Sequence, residues 1–105
     1  MDQRESKKQT VTAGTTVGAS SELYLTNFAG GLMVLPATTS AATLTFYVSS
    51  DEGLTWRQVF NSSNVAVSRT VTQNRAYTLP DELFAATRAK ILSDVEVAID
   101  VLVKE

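Results

Sequence analysis

Residues 44–60 read Leu-Thr-Phe-Tyr-Val-Ser-Ser-Asp-Glu-Gly-Leu-Thr-Trp-Arg-Gln-Val-Phe, and this stretch decides the fold. Its first part alternates apolar and polar residues, a Ser-Ser-Asp-Glu-Gly turn follows, and its last part runs back. Alternation places successive side chains on opposite faces of a strand, and a Gly-containing loop of about five residues joins antiparallel strands. The stretch therefore predicts a β-hairpin with Leu44, Phe46 and Val48 on its core face.

Short β-branched runs separated by turn residues continue on both sides of this hairpin. The last run, residues 95–104, alternates most clearly, with Val or Ile at every odd position. Residues 81–86, which follow Pro80, predict a single helical turn, because Pro and acidic residues favour a helix N-terminus. About seven to nine short strands, with turns about every 8–12 residues, indicate an all-β fold, an antiparallel β-sandwich of the jelly-roll type.

The chain has 105 residues, a length that corresponds to one domain. We assign residues 11–105 to this β-sandwich domain and residues 1–10, which are almost wholly polar, to an N-terminal arm. No apolar run approaches the ~20 residues of a membrane span, and the first residues lack the apolar core of a signal peptide. These features predict a protein that is made and used without Sec export and has no membrane partner.

Composition also disfavours several functional classes. The sequence contains neither Cys nor His, so it lacks a thiolate nucleophile, a Ser-His-Asp triad and the side chains of most zinc sites. Its net charge is -2, and it has no basic stripe and no glycine-rich phosphate loop, which disfavours nucleic acid as a partner. The composition predicts a protein that is not an enzyme and that needs no cofactor and no metal.

The turn of the central hairpin has the pattern Ser49-x-Asp51-x-Gly53-x-Thr55-Trp56, which resembles the Asp-box hairpin of sialidases and other β proteins. We expect the Asp side chain to accept backbone N–H bonds, the Gly to supply a positive φ, and the Trp ring to cover the turn from its apolar side. In the families that carry the motif it is structural, so we assign these five residues to a structural turn. A sialidase would need several copies in a much longer chain, together with an arginine cluster.

Other groups of side chains suggest alternative sites. The Cα atoms of Asp94 and Glu96 would lie about 6.6 Å apart on one strand face, near the distance between the two catalytic carboxyl groups of inverting glycosidases. Nothing nearby, however, would raise the pKa of one carboxyl group and lower that of the other. Asp51 and Glu52 could hold a calcium ion together with turn carbonyls, although the acidic residues there are few. Tyr47 points away from the predicted core face and is the best candidate for an exposed ring. The aromatic residues that could form a platform for a sugar are Tyr24, Tyr47, Trp56 and Tyr77.

The section from Gly30 to Ser93 contains, in order, Gly-Gly-Leu-Met-Val-Leu-Pro, then Leu-Thr-Phe-Tyr-Val-Ser-Ser-Asp-Glu-Gly-Leu-Thr-Trp, Tyr-Thr-Leu-Pro-Asp-Glu-Leu-Phe and Ala-Lys-Ile-Leu-Ser. This order resembles small β-sandwich proteins encoded among the virion genes of tailed bacteriophages, some of which are capsid decoration (cement) proteins. Its middle part is also similar to discoidin-like and carbohydrate-binding sandwiches. These motifs belong to the sandwich scaffold, so no functional residue carries over from those families.

The phage resemblance implies a non-enzymatic virion structural protein that lies on the capsid exterior after assembly in the host cytoplasm. Such a protein binds and stabilises the shell of major capsid protein, and the resemblance implies a homotrimer. The polar arm, with Arg4, Lys7 and Lys8, would then grip the capsid or a neighbouring subunit. The alternative is a carbohydrate-binding β-sandwich module of a tail or adhesin, whose partner would be a surface glycan.

Overall fold

A computed structural model describes residues 6–26, 28–36 and 42–104. Within these residues the chain forms nine β-strands and one short 3-10 helix. None of the helical structure in these ranges is long and apolar enough to cross a membrane. The elements are, in chain order, β1 (Ser6–Ala13), β2 (Glu22–Tyr24), β3 (Gly30–Val34), β4 (Ala42–Ser49), β5 (Arg57–Gln58), β6 (Ser68–Val71), β7 (Ala76–Thr78), the 3-10 helix (Asp81–Ala85), β8 (Arg88–Ser93) and β9 (Val97–Lys104).

The strands form two antiparallel sheets that pack face to face. Sheet A has four strands in the order β1-β9-β3-β7, and sheet B has five, in the order β2-β8-β4-β5 with β6 also paired to β4. Because β5 and β6 follow one another along the same edge of β4, they occupy a single place in the sheet. The chain then alternates between the two sheets from one strand position to the next, except that β4 and the β5/β6 position that follows it are neighbours in sheet B. This is the connectivity of a jelly roll, and it confirms the predicted β-sandwich.

The hydrophobic core lies between the sheets. In β9, Val97, Ile99, Val101 and Val103 are all buried, as their alternation predicts, whereas Val95 is exposed because the strand begins only at residue 97. The predicted helical turn is present, and its buried residue closes one end of the core. The largest fully buried side chains are Phe46, Leu23, Leu25, Met33, Leu35, Leu44, Leu83, Ile91, Ile99, Val71, Val101 and Val103.

The return strand of the central hairpin is shorter than predicted. Val59 packs against the core, and its N–H donates to the Phe46 carbonyl at 2.8 Å. Gln58 is paired with Tyr47 on the outer face of sheet B, and Trp56 shares that face by alternation. The expectation that the Trp56 ring covers the turn from the apolar side is therefore wrong. The core position beside Phe46 is already filled by Val59, which leaves the ring on the outside.

The N-terminal part of the described chain is regular. Lys7 pairs with Val103 and Lys8 with Leu102, so residues 6–10, which their polar composition assigned to an arm, form the first part of β1. Main-chain pairing to β9 accounts for this, because it does not depend on apolar side chains. Residues 1–5, including the predicted partner-binding residue Arg4, lie outside the described residues.

Hydrogen bonds link the two sheets along the side of the sandwich where β1 and β2 lie. The Gln9 amide donates to the Tyr24 carbonyl at 2.7 Å and accepts from the Tyr24 N–H at 2.9 Å. Further along, the Ser21 N–H donates to the Thr12 carbonyl at 3.0 Å. The Gln9 bonds occupy backbone groups at the free edge of β2, and the Ser21 bond occupies one at the free edge of β1. Both edges would otherwise offer unpaired backbone groups to another chain.

Candidate functional site

The Asp-box turn is held by its own polar side chains. Ser49 Oγ accepts from the Gly53 N–H at 2.7 Å and donates to Asp51 Oδ1 at 2.8 Å. The same Asp51 oxygen accepts from the Thr55 N–H at 2.9 Å, while Oδ2 accepts from the Thr55 hydroxyl. Gly53 has φ of 93°, and Glu52 before it also has a positive φ of 60°. The side chains thus fix a backbone path that two left-handed residues make possible.

Both oxygens of the Asp51 carboxylate are engaged within the turn. The hydrogen bond from the Thr55 hydroxyl, with further bonds from the Thr55 N–H and the Ser49 hydroxyl, lowers the pKa of Asp51 from 3.8 to about 2. A carboxylate this acidic is a poor general base near neutral pH. Across the described residues, no group of three or more acidic side chains is placed to hold a metal ion. Both oxygens of Asp51, which the sequence suggested as a calcium ligand, are used by hydrogen bonds within the turn.

We predict that acid weakens this turn. The folded-state pKa of Asp51 is lowered, so its contribution to stability is complete above about pH 4 and is lost as pH falls toward about 2. The Asp51→Asn variant keeps one acceptor oxygen but loses the charge. The melting temperatures of the wild type and this variant should differ most at about pH 6, and the difference should shrink at about pH 2. An equal difference at both pH values would contradict the prediction.

The outer face of sheet B gathers aromatic and charged side chains, and we call it the aromatic face. The strand register places Tyr24 beside Arg88 in one row of residues across the sheet. The next row contains Glu22, Lys90 and Tyr47. Trp56 joins them from the segment before β5. Tyr77 does not, because it lies in sheet A and packs against the core. The aromatic face is defined by Glu22, Tyr24, Tyr47, Trp56, Gln58, Arg88 and Lys90.

The two cations of the aromatic face are held in place. Arg88 Nη1 lies 3.1 Å from Glu22 Oε1 and donates to the Glu52 carbonyl at 2.9 Å. Its guanidinium carbon also lies 5.3 Å from the centroid of the Tyr24 ring. These contacts tie the Asp-box loop to β2 through β8. An open cleft of about 420 Å³ borders the face here, and its lining residues are Val48, Ser49, Ser50, Glu52, Ala85, Ala86 and Thr87.

The second cation, Lys90, is nearly buried, at 9% exposed. Its Nζ donates to the Val17 carbonyl at 2.9 Å and lies 4.8 Å from the centroid of the Trp56 ring. Sequence reasoning missed both cations. Arg88 and Lys90 lie in β8, and only the position of β8 between β2 and β4 shows that they share a face with the aromatic rings.

The outer face of sheet A is different in character, and we call it the sheet A outer face. Leu32, which is 40% exposed, lies beside Leu102, and Leu102 lies beside Lys8. Lys8 is thus the predicted partner-binding residue that belongs to this face. Lys7 is exposed on the other side of β1. The face is defined by Lys8, Thr10, Leu32, Val34, Ala76, Thr78, Ala98, Asp100, Leu102 and Lys104.

The acidic pair considered from the sequence is not formed on a strand. Asp94 lies in the turn before β9, where its Oδ1 accepts from the Thr43 N–H at 3.0 Å. It therefore holds that turn against β4 and does not share a strand face with Glu96. The expectation of two carboxylates on one strand face is wrong, because β9 begins at Val97.

Comparison of the chain with protein-family models, with curated proteins and with solved structures found no match. The fold and the character of its two outer faces define the class of this protein. It is an all-β jelly-roll sandwich in which the outer face of one sheet is partly apolar and the outer face of the other carries aromatic rings and fixed charges.

Proposed function

We propose that this chain is a non-enzymatic virion structural protein, a decoration protein that binds the shell of major capsid protein on the exterior of a tailed phage. The resemblance of its motif order to small phage sandwich proteins supports this reading. The observation that carries the proposal is the sheet A outer face, which offers a broad surface of strands for a protein partner.

The composition of the sheet A outer face suits a protein interface. Leu32 and Leu102 supply apolar area near its centre, and the half-buried Val34 extends it. Lys8 is exposed beside Leu102 on the edge strand β1, and Lys104 is exposed at the end of β9. The half-buried Asp100 lies beside Val34. An apolar patch bordered by charged residues is common in protein–protein interfaces. The complementary partner surface would be apolar at its centre and acidic where it meets the two lysines.

A homotrimer would strengthen such an attachment. Three copies that contact one shell together convert individually weak contacts into a stable one, because the second and third contacts form at high effective concentration. In this proposal the residues before β1 reach the shell or a neighbouring copy from the end of the sandwich at which Lys8 lies.

The test compares two variants that add the same charge at exposed apolar positions. Leu32→Glu alters the sheet A outer face, and Val95→Glu alters a turn outside it. Each variant is mixed with shells of the major capsid protein encoded in the same genome, and bound protein is measured by co-sedimentation. We expect Leu32→Glu to weaken attachment about tenfold or more, because it buries a carboxylate against apolar surface, and Val95→Glu to attach like the wild type.

A second arm of the experiment addresses the N-terminal residues. The deletion variant lacks residues 1–5 only, because residues 6–10 belong to β1 and their loss would damage the fold. Melting curves establish that each variant is folded. Attachment of Leu32→Glu at wild-type strength, or no attachment of the wild type at all, would overturn the proposal.

A further inference from the structure

We propose that the aromatic face is a binding site for a neutral oligosaccharide made of pyranose sugars. This inference does not rest on attachment to a shell, since it concerns the opposite side of the sandwich. It follows from the exposure of the rings, from the polar groups fixed near them, and from the balance of charge on the face.

Two rings of the aromatic face are accessible to different degrees. Tyr24 is 50% exposed at the β2 side of the sheet. Trp56 is partly exposed, and the ammonium of the nearly buried Lys90 lies 4.8 Å from the centroid of its ring. The C–H face of a pyranose packs on such a ring, because an aromatic ring combines a large apolar surface with a negative face.

The spacing of the strands suits a short run of sugars. Tyr24 lies on β2 and Trp56 precedes β5, with β8 and β4 between them. Three strand spacings separate the two backbone positions by about 14 Å, which accommodates about two to three sugar units. Tyr47 lies on β4 between the two rings and is half-buried. The rings therefore flank a platform, as in sites where apolar walls orient a ligand and a few polar groups select it.

Polar groups are fixed near the rings, with Arg88 on β8 between them and Glu22 on β2 beside Tyr24. Arg88 and Glu22 are each about one-third exposed and are joined at 3.1 Å, so both present planar polar edges at set positions. A guanidinium offers several N–H donors and a carboxylate offers acceptors, the combination that adjacent sugar hydroxyls require. Because the ion pair and the Glu52 carbonyl already hold Arg88, little side-chain freedom is lost on binding.

The charge balance favours a neutral ligand. Arg88 is paired with Glu22, and the Lys90 ammonium is directed to the Val17 carbonyl and away from solvent. A polyanion would need exposed cations along its path, as would single-stranded nucleic acid, which binds aromatic platforms only together with a basic groove. The chain as a whole has a net charge of -2.

The single Trp of the chain supplies the readout, because a sugar on Trp56 changes its fluorescence. The full chain is titrated with cellohexaose, chitohexaose, xylohexaose and mannohexaose, and with a heparin hexasaccharide and an oligothymidylate as charged comparisons. We expect a saturable change with at least one neutral hexasaccharide and none with the charged probes. Tyr24→Ala should weaken that binding about tenfold, the scale of one stacked ring.

Val95→Ala is the matched control, since it truncates an exposed apolar residue outside the aromatic face and should bind like the wild type. Melting curves verify that Tyr24→Ala is folded, as its exposure leads us to expect. The proposal is overturned if no neutral hexasaccharide gives a saturable change, if only a charged probe binds, or if Tyr24→Ala binds as tightly as the wild type. None of these outcomes bears on shell attachment, which depends on Leu32.

Discussion

Phe46→Ala should lower the free energy of unfolding by about 3–5 kcal/mol, the range for truncating a buried aromatic residue. Phe46 lies on the core face of β4, is 0% exposed and is among the largest fully buried side chains. Its loss removes apolar contacts with both sheets and leaves a cavity that the strands of a sandwich cannot fully close. Since a domain of this size is stable by about 5–15 kcal/mol, the variant should be close to unfolding at ordinary temperature.

Phe60→Ala is the control for this prediction. It makes the same chemical change at a side chain that is 49% exposed on the β5–β6 connection, and we expect a loss of about 1 kcal/mol or less. Chemical denaturation of both variants, followed by circular dichroism, measures the difference. Equal losses for Phe46→Ala and Phe60→Ala would mean that the core does not lie where the two sheets place it.

Gly31→Ala should cost about 2–3 kcal/mol, as over-packing in a tight interior does. Gly31 lies in β3 opposite Val103. A methyl group there would approach the Leu102 carbonyl oxygen to 2.6 Å and Leu79 Cδ1 to 2.9 Å. The first of these contacts is with backbone, so β3 would have to move away from β9, and the pairing that builds the middle of sheet A would be disturbed.

The adjacent Gly30 provides an unusually close control. A methyl group at Gly30 would meet nothing within 4 Å. Gly30→Ala should therefore be neutral or slightly stabilising, because Ala restricts the unfolded chain more than Gly does. Urea unfolding of the two single variants distinguishes them. Matching stabilities would show that β3 and β9 are not as close as the register requires.

Much of the fold follows from local patterns in the sequence. The alternation in β9 predicted its buried Val and Ile side chains, and the Pro-Asp-Glu sequence predicted the short 3-10 helix that buries Leu83. Strand count and turn spacing predicted the sandwich. These predictions succeeded because each depends on side-chain period or turn chemistry within a few residues of chain.

The arrangement of the two outer faces was beyond sequence reasoning. Tyr24, Trp56 and Lys90 come from separate parts of the chain, and only the order β2-β8-β4-β5 brings them onto one face. The side of the sheet on which Trp56 lies depended on Val59 taking the core position beside Phe46. Local periodicity does not specify which strands become neighbours, because that depends on how both sheets bury their inner faces together.

The two outer faces point to opposite sides of the sandwich. A molecule attached to a shell through Leu32 and Leu102 would therefore present Tyr24 and Trp56 to its surroundings. Shell attachment and sugar binding would then take place on separate surfaces without competing. This separation makes each proposal testable by variants that leave the other surface unchanged.

Hydroxyl-radical footprinting of the wild-type protein, free and bound to shells, tests the proposed attachment most directly. Mass spectrometry would compare labelling at Leu32 with labelling at Tyr24 and at Leu54, which is 84% exposed on the Asp-box loop. We predict that binding to shells protects Leu32 and leaves Tyr24 and Leu54 labelled as in the free protein. Protection of Tyr24 with unchanged labelling of Leu32 would contradict attachment through the sheet A outer face.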